Sequence, residues 1–309
     1  MLPFHVVYHE GYDLNLGDHV FPSQKFRMIR QSLLRNRLAA PEDFVEPEPA
    51  TDEDVLLAHD PEYIRKLKTG TLSYQELLRL EIPYSSRTVE AYWLAAGGTM
   101  RAVQLASRER VGFNLGGGFH HGFPAHGEGF CAINDIAIGV RRAQKDGLFR
   151  RPMVVDCDVH HGNGTAAIFA GDESVYTLSI HQYNNYPAEK PPSSMDIHLA
   201  DRTGNEEYLE RLSHGLRLAF GAFHPDLVVY VAGADPYCED QLGGLDLTLD
   251  GLRQRDQLVI ESALAKGAAV AVVLAGGYAY DVTDTVDIQC NTVKVARDAL
   301  LAAGSSKTA

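Results

Sequence analysis

The chain has 309 residues, 45% hydrophobic and 22% charged, with a formal net charge of −13. That composition fits a globular chain with a sizeable core, long for one domain but within reach of a single large α/β unit. The acidic balance argues against a nucleic-acid partner, whose binders present a basic surface, and no apolar run approaches the roughly 18 residues of a membrane span.

Val6 to Tyr8 reads as a first short strand, and Gly11 to Pro22 as a polar, turn-rich segment. Gln24 to Arg37 places Phe26, Ile29, Leu33 and Leu34 on one side, as a basic amphipathic helix does. Pro41 to Pro49 is acidic and proline-rich and reads as a loop. Thr51 and Asp54 have capping-box spacing, with Asp in place of Glu, which predicts a helix over 53–59. Asp60-Pro61 starts another through Lys68. Ser86 to Ala106 reads as a long helix interrupted by Gly97-Gly98. Two glycines there cost about 1 kcal/mol each, so close packing against a neighbour is expected.

From here strands and helices alternate. Strands are expected over 112–115, 153–155, 174–180, 227–232 and 269–274, and helices over 134–145, 165–170, 205–220, 249–266 and 286–302. Residues 184–195, with three prolines, read as a loop, and residues 303–309 as a flexible tail. Apolar strands alternating with helices predict a parallel sheet covered on both faces. The polar clusters follow Leu115, Val155, Ile180, Ala232 and Leu274, the carboxyl ends of five predicted strands, where open α/β sheets build their sites. No internal repeat or linker divides residues 1–302, which are expected to form one domain. Met1 to His9 lacks the apolar run of a secretory leader. The cysteines (Cys131, Cys157, Cys238, Cys290) form no C-x-x-C pair. The expectation is a cytoplasmic protein with reduced thiols.

The chain is organised around Met153 to Gly164, MVVDCDVHHGNG. An apolar strand leads into Asp156, Asp158 and His160, which strand alternation would point to one side. Carboxylates and imidazole gathered at a buried strand end are costly unless a charged group sits between them. Asp158, His160 and Asp235 supply three ligands, the number common in catalytic zinc sites. Two carboxylates offset most of the ion's charge, so a separate general base is needed. Taken singly, Asp158 also reads as a helix cap and Asp235 as a turn residue before Pro236.

The adjacent His120 and His121, in a glycine-rich turn, are the source of that base. Asp156 can orient one ring and raise its pKa, while Asn163 can orient the other without adding charge, leaving a cationic and a neutral imidazole. Tyr278, after Gly276-Gly277, is placed to donate to a developing oxyanion, or else is an ordinary buried tyrosine. Gly129-Phe130 and Tyr186-Pro187 offer aromatic walls, or plain packing. The run Gly162-x-Gly164-x-x-Ala167 mimics a dinucleotide fingerprint, but the next strand ends at Ser179-Ile180-His181 with no acid for a ribose. No G-x-S-x-G elbow and no G-x-x-x-x-G-K-[ST] loop is present.

Together GGGFHHGFPAHGEGFCAIND, VVDCDVHHGNGT, SIHQ, AGADPYCEDQLGGL and LAGGY, in that order and spacing, resemble the zinc-dependent histone deacetylase superfamily from about Tyr8 to Leu300. The resemblance implies the arginase/deacetylase fold: one three-layer α/β domain, its mainly parallel sheet of about eight strands covered by helices on both faces. It implies one zinc (Zn2+) on Asp158, His160 and Asp235, His121 as general base beside His120, Asp156 and Asn163 behind that pair, and Tyr278 polarising the acyl carbonyl. Gly129, Phe130, Tyr186 and Gly276 would contact the substrate. A structural potassium (K+) would lie near Asp156, Asp158, His160, Ser179 and Ile180, with His160 and Ile180 contributing backbone carbonyls.

The compact length and the FPSQKF opening are similar to class IV and related bacterial members, with Lys25 at an internal cavity behind the zinc. Asn163 stands where class I members carry an aspartate, His126 where another polar residue is common, and Pro83 to Thr88 holds no counterpart of the class I substrate-clamping aspartate. The implied activity is removal of acetyl or longer acyl groups from the ε-amine of lysine in a protein or peptide, without nucleic-acid or membrane partners. The alternatives are hydrolysis of an acetylpolyamine or other small amide, and a silent acyl-lysine binder. A two-metal ureohydrolase would need more aspartates than Gly233-Ala234-Asp235-Pro236 offers. Oligomeric state stays open.

Overall fold

The computed structural model describes residues 1–305. In chain order the elements are β1 (Val6–Val7), α1 (Lys25–Arg35), β2 (Phe44–Val45), α2 (Asp52–Val55), α3 (Pro61–Thr69), α4 (Tyr74–Leu80) and α5 (Ser86–Glu109). Then come β3 (Val111–Asn114), α6 (Asp135–Lys145), β4 (Pro152–Asp156), α7 (Asn163–Ile168), β5 (Tyr176–Gln182) and β6 (Met195–Leu199). The chain closes with α8 (Asn205–Ala222), β7 (Leu227–Val231), α9 (Leu249–Ala265), β8 (Ala269–Val273) and α10 (Val282–Ser305). The eight strands form one sheet in the order β2-β1-β3-β8-β7-β4-β5-β6, and every pairing is parallel.

The central strands PMVVD, LVVYV and AVAVV are buried at every residue, as strands covered on both faces must be. One covering layer has α5 packed on β3, β8 and α6; the other has α9 on β7 and β8, with α8, α10 and α1 beside it. The glycine pair in α5 marks the close approach its sequence predicts: a side chain on Gly97 would collide with the Glu48 carbonyl, and one on Gly98 with the Tyr12 hydroxyl.

Several boundaries differ from expectation, each for a local reason. The Thr51–Asp54 capping box forms, yet α2 stops at Val55. A second box, Ser73 with Glu76, starts the unforeseen α4. Edge strand β2 lies inside the proline-rich stretch expected as a loop, and β6 begins at Met195, the last residue of the expected loop 184–195, in a stretch where no strand was expected. Helix α7 starts at Asn163, directly after Gly162. Helix α10 continues through Ser305, past the expected domain end at residue 302, and residues 306–309 lie outside the described residues. Among the described residues no helix is long and apolar enough to cross a membrane.

Candidate active site

Strand β4 ends at Asp156, so alternation along a strand is not what aligns Asp158 and His160. Local hydrogen bonds shape the loop instead. The Asp158 N–H donates to Asp156 Oδ1 at 3.1 Å, and the His160 N–H to Asp158 Oδ1 at 3.0 Å. The Val159 N–H reaches Asp235 Oδ1 at 2.9 Å, tying this loop to the one after β7. From the end of β8 the Gly276 N–H donates to Asp158 Oδ2 at 2.9 Å. A side chain on Gly276 would collide with Asp235 Oδ2, so this glycine, expected against the substrate, makes room for the acid pair.

One ligand atom from each of Asp158, His160 and Asp235 lies within 4.8 Å of the other two. His160 Nδ1 stands 3.1 Å from Asp158 Oδ1 and 3.4 Å from Asp235 Oδ2. Asp235 Oδ2 is buried and accepts no hydrogen bond. Burial and the neighbouring Asp158 charge push Asp235 above the usual carboxylate range. Burial would raise Asp158 too, but His120 and His160 outweigh it and hold that carboxyl low. An orphaned carboxylate oxygen beside a second acid and an imidazole nitrogen fits a small divalent cation, and the two-oxygen, one-nitrogen donor set suits zinc. A second group, His161, His181 and Asp196, also converges. There His161 Nε2 meets Asp196 and both His181 nitrogens have partners in Ser179 and His198, so protein contacts alone satisfy most of it.

The histidine pair follows β3. Asp135, at the start of α6, accepts the Gly118 and Phe119 N–H groups at 3.0 and 2.7 Å. The Asn134 amide donates to the His120 and Gly122 carbonyls. His59 steadies Asn134 in turn: its Nε2 accepts the Asn134 N–H at 2.9 Å, and its Nδ1 donates to the Phe123 carbonyl at 2.9 Å. Burial lowers His59 to about 4 and keeps it neutral, as that double role requires.

The two rings lie 4.0 Å apart between centroids. His120 Nδ1 bonds Asp156 Oδ2 at 2.8 Å, and His121 Nδ1 bonds Asn163 Oδ1 at 2.7 Å. Burial would lower His120, but Asp156 and Asp158 outweigh it and raise the ring to about 9. Burial and the charges of His120 and His160 hold His121 well below its ordinary value. The pair is thus one cationic and one neutral imidazole.

A pocket of about 170 Å³ is lined by His121, His160 and Tyr278 together with Gly129, Phe130, Asn185, Tyr186, Leu242 and Glu81. Tyr186 meets the His121 ring edge-on at 5.0 Å, and Phe130 lies 6.1 Å from Tyr278. Burial, reinforced by Asp235 and Asp158, keeps the Tyr278 phenol protonated and so a donor. The Tyr278 N–H is held by Asp240 Oδ2 at 2.6 Å, and its carbonyl by the Gln241 amide at 2.8 Å. Lys25 is buried, and its Nζ donates to the Ala275 carbonyl at 2.8 Å, three residues before Tyr278.

Three side chains emerge only in the fold. Glu81, two residues before the stretch searched for a clamping acid, lines the pocket. Glu128 bonds the Asn163 amide. Arg255, fully buried in α9, donates to the carbonyls of Gly233 and Cys157, each beside a metal-site loop. For the proposed potassium, Asp156 and Ser179 are register partners across β4 and β5.

Two solved structures share this fold. The HD domain of HDA15 superposes with a TM-score of 0.78 at 22% identity, covering 98% of this chain and 99% of that one. A histone deacetylase homologue complexed with SAHA gives 0.79 at 22%, covering 97% and 88%. The architecture is therefore that of these two structures. Residues 19–293 match the histone deacetylase domain, and the chain belongs to that family. It is 39% identical to an uncharacterized protein of Picosynechococcus over 96% of this chain and 99% of the relative. Histone deacetylase 2 of Arabidopsis thaliana is 29% identical over 88% and 74%, and the acetoin utilization protein AcuC of Staphylococcus aureus 28% over 85% and 73%.

Proposed function

We propose that this protein is a zinc-dependent amide hydrolase that removes acyl groups from the ε-amine of lysine in proteins or peptides. The observation that carries the reading is the three-ligand cluster opening, through His160, onto a pocket also lined by His121 and Tyr278.

Asp158, His160 and Asp235 would hold the zinc, which supplies Lewis-acid polarisation of the acyl carbonyl and acidifies water. With Nδ1 bonded to Asn163, the neutral His121 ring has Nε2 free to take a proton from the attacking water. His120, kept cationic by Asp156 and Asp158, supplies positive charge beside the developing oxyanion. Tyr278 donates its phenol proton in a hydrogen bond to that oxygen. An imidazolium then protonates the leaving nitrogen, which would otherwise have to depart as a strongly basic amide anion; the neutral amine so released is held as the ammonium near neutral pH, its pKa being roughly 10.4. Phe130 and Tyr186 flank the acyl-lysine stem. Asp156, Asp158, Ser179 and the carbonyls of His160 and Ile180 are assigned to a structural potassium.

Glu81 gives a second reading its specific support. A carboxylate lining the pocket can accept a peptide N–H, but it also suits a cationic acetylpolyamine. A panel of lysine peptides from acetyl to myristoyl, with acetylated polyamines alongside, separates the two. Acyl-lysine turnover is expected, reduced roughly 10²–10³-fold in Tyr278→Phe, the loss typical of an oxyanion donor. Faster turnover of the polyamines would assign the site to them. A zinc-replete protein inert toward every acylated amine would contradict the hydrolase reading.

A further inference from the structure

Asn163 is the amide partner of His121, and its other end meets a carboxylate. Asn163 Nδ2 donates to Glu128 Oε1 at 2.5 Å. The second oxygen, Oε2, stands 3.3 Å from His126 Nε2. Glu128 is fixed by a tight turn: its N–H and carbonyl pair with Cys131 at 3.2 and 2.9 Å, across Gly129 at φ +51° and Phe130 at φ +66°. Two consecutive left-handed residues form such a turn. It holds the Glu128 carboxylate against Asn163 and sets Phe130 into the pocket lining.

We propose that Glu128 is a positioning residue for the general base, locking the Asn163 amide and through it the ring tautomer of His121. This rests on the reading of His121 as the base. The geometry admits one amide orientation. At Oδ1, the Gly164 N–H donates at 3.0 Å and His121 Nδ1 lies at 2.7 Å. At Nδ2, Glu128 offers only lone pairs. A flipped amide would set its NH2 against the Gly164 N–H and its carbonyl against the carboxylate. With the amide fixed, His121 Nδ1 must carry the proton and Nε2 the lone pair.

The arrangement also moves a charge. A carboxylate directly on His121 would raise its pKa; here the charge sits one residue further out and acts through a polarised amide. Glu128 thereby favours the imidazolium as it forms without protonating the resting base. Asn163 is 2% exposed, and in the folded chain its amide nitrogen meets the Glu128 carboxylate.

The test joins a ring-nitrogen readout to kinetics in the full-length, zinc-loaded chain. Long-range ¹H–¹⁵N correlations should show His121 protonated on Nδ1 in wild type and in Glu128→Gln, whose amide oxygen still accepts from Asn163, but a tautomer mixture in Glu128→Ala. On acyl-lysine peptides, Glu128→Ala should lower kcat roughly 10–100-fold with KM nearly unchanged, and Glu128→Gln should recover most of the loss. In an Asn163→Ala background the further loss should be under about twofold. A single Nδ1–H tautomer in Glu128→Ala, or a loss that adds fully to that of Asn163→Ala, would overturn the assignment. A wild-type protein without hydrolase activity would sink the hydrolase reading alone, since the tautomer measurement still decides the role of Glu128.

Discussion

His121→Ala is expected to lower kcat on an acyl-lysine peptide by roughly 10²–10⁴-fold, the span of a lost general base. The neighbouring ring cannot replace it. His120 is bound to Asp156 at 2.8 Å and raised to about 9, so near neutral pH it already carries the proton a base must accept. His121 is buried among positive neighbours and neutral. Its ring bonds Asn163 and is not one of the three metal-site side chains, so zinc content should be unchanged and KM should move only a few-fold. The measurement is kcat at saturating substrate with zinc determined in the same sample. Activity within threefold of wild type, with zinc retained, would take His121 out of the mechanism.

The second large effect is on stability. Arg255→Met should cost about 3–5 kcal/mol, the range for breaking a buried ion pair from one side, and lower Tm by roughly 5–8 °C in a chain of this length. Both partners of the Arg255–Asp256 pair are 0% exposed. Arg255 Nε and Nη2 donate to Asp256 Oδ1 at 3.0 and 2.8 Å, and the Tyr230 and Thr292 hydroxyls complete that carboxylate. Without the guanidinium the Asp256 charge stays buried, and the Gly233 and Cys157 carbonyls lose a donor. Those carbonyls lie within two residues of Asp235 and Asp158, so zinc should also dissociate faster. Arg255→Lys should restore only part of the loss, because an ammonium lacks the fork that spans both carbonyls and the carboxylate. Thermal unfolding checks this; a Tm within 1–2 °C of wild type in Arg255→Met would show that the pair contributes little.

How much of this was legible in the sequence follows from which contacts are local. Strands β4, β7 and β8 announce themselves as unbroken apolar runs because helices cover both their faces. The edge strands do not. β2 is two residues long within a proline-rich stretch, and in β6 only Ile197 and Leu199 are buried. The metal triad is readable as a motif, although Asp158 and His160 are aligned by loop hydrogen bonds after the strand has ended. The contacts of Glu128, which lies within the GGGFHHGFPAHGEGFCAIND run, and of Arg255 are not readable in sequence, because their partners lie far along the chain. Glu128 meets Asn163 across 35 residues, and Arg255 meets Cys157 across 98. Glu81 falls just outside the window in which an acid was sought, and the left-handed end of α4 delivers it to the pocket.

The most direct test is the metal content of the purified full-length protein, set beside that of Asp235→Ala. One tightly held zinc per chain in the wild type, reduced to near zero in the variant along with acyl-lysine hydrolysis, is the predicted result. Zinc retained in Asp235→Ala, or two zinc or other transition-metal ions per wild-type chain, would contradict a single zinc held by Asp158, His160 and Asp235.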